Sequence, residues 1–154
     1  MVGTVFIRKR CKFNLKTQNK RMNPGIAIKV MLWLLLTVIL FHLCIMLKII
    51  PYEITWGGRL KNDTEMYTFE SVSILINLFL GFILLIKGNY LTEIIPMKIV
   101  NVTLWFFLVL FGLNTIGNIL AKTNFEKFFA PLTLVSAILI WIILKKDTKR
   151  IHNN

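Results

Sequence analysis

Four long apolar runs, separated by short polar segments, dominate the pattern of residues along the chain. Each run is close to the roughly 20 residues that a helix needs to cross the hydrocarbon of a bilayer. The runs cover approximately residues 25–47, 70–86, 99–121 and 128–144. They are continuous and lack the alternation of apolar and polar residues that marks a transmembrane β-barrel. The pattern predicts an all-α polytopic membrane protein, an antiparallel bundle of four transmembrane helices within residues 25–146.

Charged residues and prolines mark the ends of these runs. Lys29 and Lys48 flank the first run, and Pro51 stops any continuation of its helix. The segment before Glu70, TEMYTFE, already has the residue types of a helical turn. The second helix is therefore expected to begin at about Glu70 or earlier, inside the loop of residues 48–69. Pro96 precedes the third run.

The composition agrees with a membrane protein and identifies two basic tails. Hydrophobic residues make up 56% of the chain and charged residues 17%, against about half and about a quarter in soluble domains. Residues 1–24 carry several Lys and Arg residues and no acid, which predicts a disordered cytoplasmic tail against anionic headgroups. Translation from Met22 is an open alternative. Residues 147–154 form a second basic cytoplasmic tail.

The distribution of charge predicts how the helices are oriented. With the N-terminus inside, the inner segments hold 14 of the 19 Lys and Arg residues, and such an excess marks the cytoplasmic side. The net charge of +12 is explained in this way without a nucleic-acid partner. Trp33, Trp105 and Trp141 fall near the predicted inner ends, as in an aromatic belt. We therefore predict a multi-pass protein of a cytoplasmic or inner membrane with both termini in the cytoplasm.

The loop of residues 48–69 is the one substantial outer segment that this orientation leaves. Together with the first residue of the next run it holds four of the seven acids of the chain, Glu53, Asp63, Glu65 and Glu70. Trp56 and Arg59 flank its Gly-Gly pair. Glu53 and Arg59 could form an ion pair around this turn, and Trp56 could serve as a lid or as an interfacial anchor.

Polar residues within the spans gather in the predicted outer half of the bundle. Glu70, Ser73 and Asn77 share one helical face, and Asn114 and Asn118 share another. Such groups either bond neighbouring helices together or line a pocket beneath the loop. The candidate ligand-binding residues are Glu53, Trp56, Arg59, Glu70, Ser73, Asn77, Asn114, Thr115 and Asn118.

Glu70 and His42 are the residues that would carry chemistry if the protein were an enzyme. A partly desolvated carboxylate can exchange a proton with a substrate, and His42 lies at a similar predicted depth. For His42 itself, a hydrogen bond to an Asn or Ser is the expected environment. No His or Cys spacing typical of a metal site is present, and we expect no metal and no cofactor.

The layout resembles small four-helix membrane families, including the sterol-isomerase and sigma-2-receptor group. The resemblance covers the topology and the position of Glu70, since those proteins also carry an acid near the start of the second helix. It implies a pocket among the four helices. It extends to no sequence motif.

Three functions remain as hypotheses. The first is a binding or assembly module whose outer-half pocket takes a lipid-like ligand or a membrane partner protein. The second is a membrane enzyme that acts on an amphipathic, sterol- or lipid-like substrate through Glu70. The third is a small transporter, against which the apolar inner half argues. A homo-oligomer is an open alternative for the assembly state.

Overall fold

A computed structural model describes residues 22–56, 60–92, 94–121 and 124–151 of the chain. Within this part all regular secondary structure is helical, with four long helices and no strand. The predicted N-terminal tail up to residue 21 and Arg59 lie outside the described residues. So do residues 152–154 and the side chains of 146–151.

Helix α1, Pro24–Met46, is bounded by local signals at both ends. The Asn23 side chain accepts a hydrogen bond from the Gly25 N–H at 3.1 Å, and Pro24 occupies the first turn. At the other end Lys48 adopts φ 57°. The Lys48 and Ile49 N–H groups donate back into the last turn, a Schellman motif that ends the helix before Pro51.

Helix α2, Asp63–Lys87, begins inside the loop, the earlier of the two predicted starts. The Asn62 side chain accepts from the Glu65 N–H at 2.8 Å, and the Glu65 carboxylate accepts from the Lys61 N–H at 2.9 Å. This reciprocal capping fixes the first turn. A 3-10 turn, Tyr52–Ile54, lies between α1 and α2. A second Schellman motif, with Asn89 at φ 57°, closes α2.

Helices α3, Met97–Ile119, and α4, Asn124–Ile151, complete the bundle. Helix α3 starts directly after Pro96, as the sequence indicated. Helix α4 begins before the predicted Phe128 and continues beyond the predicted end of the apolar run. In all four helices a segment of 22 to 25 residues is long and apolar enough to cross a membrane.

Sequential helices are neighbours in the bundle, and α1 also packs against α4. The α3–α4 contact is the most extensive and the α2–α3 contact the least. We call the end that carries the α1–α2 connection the loop end and the opposite end, where α1 begins, the terminal end. The order of the helices and the short connections give an antiparallel arrangement.

Two apolar clusters of different size stabilise the two ends. The larger one draws buried residues from all four helices toward the terminal end, including Met31, Leu84, Leu104 and Ile140. The smaller one lies at the loop end, where Ile45, Leu60 and Met66 pack together between α1, the loop and α2. The loop is therefore a packed part of the molecule on its α1–α2 side.

Candidate functional site

The carboxylate of Glu70 lies at the centre of a polar cluster near the loop end. Its side chain is 0% exposed, the lowest exposure of any charged side chain in the described part of the chain. The Trp56 indole N–H donates to Glu70 Oε1 at 2.9 Å. His42 Nδ1 lies 2.5 Å from Glu70 Oε2. Residues from α1, the loop and α2 thus meet on one carboxylate.

Local structure places each of the three side chains. Glu70 lies one helical turn after Met66, on the face of α2 that packs on α1 and the loop. His42 lies on the last turns of α1, one residue after Phe41, which packs against the small apolar cluster. Trp56 has φ 51°, a left-handed backbone that is costly for a bulky residue. Such strain is stable only where surrounding contacts fix it.

Aromatic contacts surround the polar cluster. The Trp56 ring lies 5.3 Å from the Phe69 ring, centroid to centroid, and the Phe41 ring meets the His42 imidazole edge-on at 6.0 Å. Phe41 also contacts Phe129 of α4 at 5.3 Å. These rings lie beside the two side chains that bond to Glu70, and the Glu70 side chain itself is fully buried, where hydrogen bonds are stronger than in water.

The arrangement has one clear chemical property. When Nδ1 of a histidine donates to a carboxylate, the ring is held in one tautomer and its Nε2 becomes a hydrogen-bond acceptor or base. The His42 side chain is 14% exposed. The described residues contain no group of three or more His, Cys, Asp or Glu side chains that could hold a metal ion.

The prediction for the partner of His42 was wrong. We expected an Asn or Ser, whereas the partner is Glu70. Asn77 instead donates to the Ser73 carbonyl at 2.7 Å, within its own helix. Because the Asn77 amide donates to the backbone of the preceding turn, it does not bond to the His42 imidazole, which bonds to the Glu70 carboxylate.

The polar residues of α3 lie away from Glu70. The Thr115 hydroxyl is buried and bonds to the Thr133 hydroxyl of α4 at 3.0 Å, which joins these two helices. Asn118 is half-buried, and Asn114 is exposed on the outside of the bundle. The contact between α2 and α3 is the least extensive between sequential helices, and no hydrogen bond joins the polar faces of these two helices within the described residues.

The loop residues have a different ion pair from the one expected. Glu53 is exposed on the 3-10 turn, while Arg59 is outside the described residues. Lys48 instead pairs with Asp63 at 2.6 Å, each about half exposed. This hydrogen bond raises the pKa of Lys48, and partial removal from water, with the nearby Asp63 and Glu53, raises the pKa of Tyr52.

Apolar side chains pack beneath the loop, on the α1–α2 side of the region where the sequence suggested a pocket. Ile45, Leu60 and Met66 are buried there beside the Glu70 cluster. An open groove of about 330 Å³ lies instead toward the terminal end, between α1 and the end of α2. Residue patterns did not reveal it, because its lining residues look like ordinary membrane-facing positions.

The fold and cluster define an all-helical chain with four candidate membrane-spanning helices. No family model, characterised protein or solved structure matches it. The resemblance to the sterol-isomerase and sigma-2-receptor group therefore depends on topology and on the position of Glu70 alone.

Proposed function

We propose that the protein crosses a membrane four times, with both termini in the cytoplasm, and acts as an assembly module for a membrane partner protein. The outside of the bundle supports insertion, since Trp33, Trp105 and Trp141 are all more than half exposed. Exposed indoles near one end of a helical bundle are typical of membrane–water interfaces. The excess of basic residues on the short segments of the terminal end favours the cytoplasm for that side.

The observation that carries the assembly role is the occupied carboxylate of Glu70. Both of its oxygens already have protein partners, from the loop and from α1. The buried charge therefore serves to hold the loop onto the α1–α2 pair. A surface that is fixed before binding loses less conformational entropy when a partner docks.

The fixed loop presents a surface that suits a protein partner. We call it the loop face and define it by Glu53, Trp56 and Phe69, all of which are exposed. Its centre is the pair of aromatic rings, and aromatic residues are enriched at the cores of protein interfaces. The packed residues beneath the loop favour a partner that binds this face over a small ligand enclosed in a pocket.

The test is the size of the complex extracted from membranes of the native host in a mild detergent. The double variant Phe69→Ala/Glu53→Lys alters the loop face and leaves all three side chains of the Glu70 cluster in place. Phe128→Ala is the matched control, because Phe128 is an exposed ring on α4 at the same end.

On native gels we expect the wild type and Phe128→Ala to migrate as a complex larger than the 17.9 kDa chain in its detergent micelle. The double variant should migrate as the isolated chain. A wild type that already migrates alone, or a double variant that keeps the complex, contradicts the proposal.

The oriented imidazole supports an enzyme as a second candidate. A carboxylate-bound histidine can act as a general base, here with Glu70 as its partner toward an amphipathic, sterol- or lipid-like substrate. Turnover of such substrates should then be lost in His42→Gln and kept in Glu53→Gln. Equal turnover in the two variants, or none in the wild type across a panel of these substrates, argues against this candidate.

A further inference from the structure

The groove near the terminal end has a polar mouth and an apolar floor. Leu32, Trp33 and Leu36 of α1 line it together with Leu85 of α2, while Lys29 and Tyr90 lie at the end nearest the beginning of α1. The α1 residues follow one another at helical spacing. From Lys29 to Leu36 the groove therefore extends about 10 Å along the helix.

The cation at the mouth has no partner within the part of the chain that the structure describes. Lys29 is exposed and takes part in no ion pair or hydrogen bond there. Lys87, in the last turn of α2, instead donates to Asn101 of α3 at 2.6 Å. Lys29 is thus an ammonium group at the open end of an apolar groove.

The Tyr90 ring is held at the mouth by the backbone at the end of α2. The Tyr90 N–H donates to the Leu85 carbonyl at 2.9 Å, as part of the motif in which Asn89 is left-handed. The ring packs directly on Gly88, where an added Cβ would lie only 2.6 Å from a ring carbon. A larger residue at position 88 would displace the Tyr90 ring, so the glycine allows the phenol to lie beside the groove.

We infer that this groove binds one anionic phospholipid of the surrounding leaflet. Its phosphate would pair with the Lys29 ammonium, and the first part of an acyl chain would cover Leu32, Leu36 and Leu85. Charge complementarity selects the anionic headgroup, since basic groups near a bilayer surface attract such lipids. The inference depends on membrane insertion, as the proposed function does, but on no partner protein.

The experiment measures lipid binding to the purified full chain in detergent by native mass spectrometry. The probes are a phosphatidylglycerol and a phosphatidylcholine with identical acyl chains. Lys29→Gln removes the cation, and Lys98→Gln is the matched control, an exposed lysine at the same end on α3. Leu36→Trp fills the apolar floor.

We expect the wild type and Lys98→Gln to prefer phosphatidylglycerol. The substitution Lys29→Gln should lower the affinity of the protein for phosphatidylglycerol about fivefold, toward its affinity for phosphatidylcholine. Leu36→Trp should weaken both lipids, and free glycerol phosphate should displace neither. Equal affinities of Lys29→Gln and the wild type overturn the inference. So does an equal loss in Lys98→Gln, or displacement by glycerol phosphate, which would indicate a simple anion site.

Discussion

Glu70 is a charged residue within an apolar helix, and the structure removes it from water completely. Moving a carboxylate into such surroundings costs several kcal/mol unless good hydrogen bonds compensate. Here the compensation comes from Trp56 and His42, which belong to different elements. The residue therefore couples the loop to two helices, and its removal should affect all three.

We expect Glu70→Ala to lower the free energy of unfolding by about 3 kcal/mol, because it leaves the Trp56 indole N–H and the largely buried His42 imidazole without their acceptor. Glu70→Gln should cost about half as much, since an amide oxygen can still accept from Trp56. The measurement is unfolding of the detergent-solubilised chain in increasing SDS, followed by tryptophan fluorescence.

Ser73→Ala, one turn further along α2, is the control and should stay within about 0.5 kcal/mol of the wild type. A double variant of His42 and Glu70 should lose less than the sum of the single losses, because the two side chains share one interaction. If Glu70→Ala unfolds like the control, the cluster does not hold the loop.

The three residues of this cluster were among the candidates from the sequence, but their hydrogen bonds to one another were not predicted. Glu70, Trp56 and His42 were all candidates, yet they lie 14 and 28 positions apart. Helical spacing reports which residues share a face of one helix, and it carries no information about residues on different elements. For the same reason helical spacing grouped Asn114 with the residues of a pocket, although its side chain is exposed while Phe111 and Asn118 on the same face are half-buried.

Among the elements, the helix ends were predictable to the extent that their capping residues are distinctive. Pro51 and Pro96 indicated where α1 ends and where α3 begins. The start of α2 depends on Asn62 and Glu65, a polar pair within an acidic loop that hydrophobicity alone does not separate from its surroundings. The end of α1 is unusual, because Lys48 occupies the left-handed position that favours glycine.

Lys48 therefore provides a test of the helix end. We expect Lys48→Gly to be about 1 kcal/mol more stable than Lys48→Ala, because only glycine adopts positive φ without steric cost. Both variants remove the ion pair with Asp63, so the difference between their free energies of unfolding reports the cost of a positive φ at position 48. The measurement is the same SDS titration, and equal stabilities would contradict a left-handed Lys48.

The ion pair itself should be weak, since both partners are about half exposed. The Asp63 hydrogen bond raises the pKa of Lys48 above its ordinary 10.5. The contribution of the pair is therefore present below pH 10.5 and is lost as the pH rises through the raised value. From pH 7 to 9 the difference between wild type and Lys48→Ala should not change.

At the scale of the whole molecule, the two ends of the bundle are built differently. The terminal end is closed by the large apolar cluster that all four helices share. The loop end has the smaller cluster, the Glu70 hydrogen bonds and the Thr115–Thr133 contact. From the depth of its polar residues the sequence predicted that they gather in the outer half of the bundle. Whether polar side chains meet or diverge depends on helix rotation, which follows from packing rather than from pattern.

The orientation of the bundle is the last prediction, and cysteine labelling tests it. In a chain with Cys11 and Cys44 replaced by Ser, a cysteine is placed at Lys61 or at Lys98, both exposed and at opposite ends of the molecule. With the termini in the cytoplasm, a membrane-impermeant maleimide should label Lys61→Cys on intact cells. It should label Lys98→Cys only after permeabilisation, because the excess of basic residues holds that end inside. The reverse pattern would place both termini outside the cell, and equal labelling of the two sites under both conditions would contradict a single orientation across the membrane.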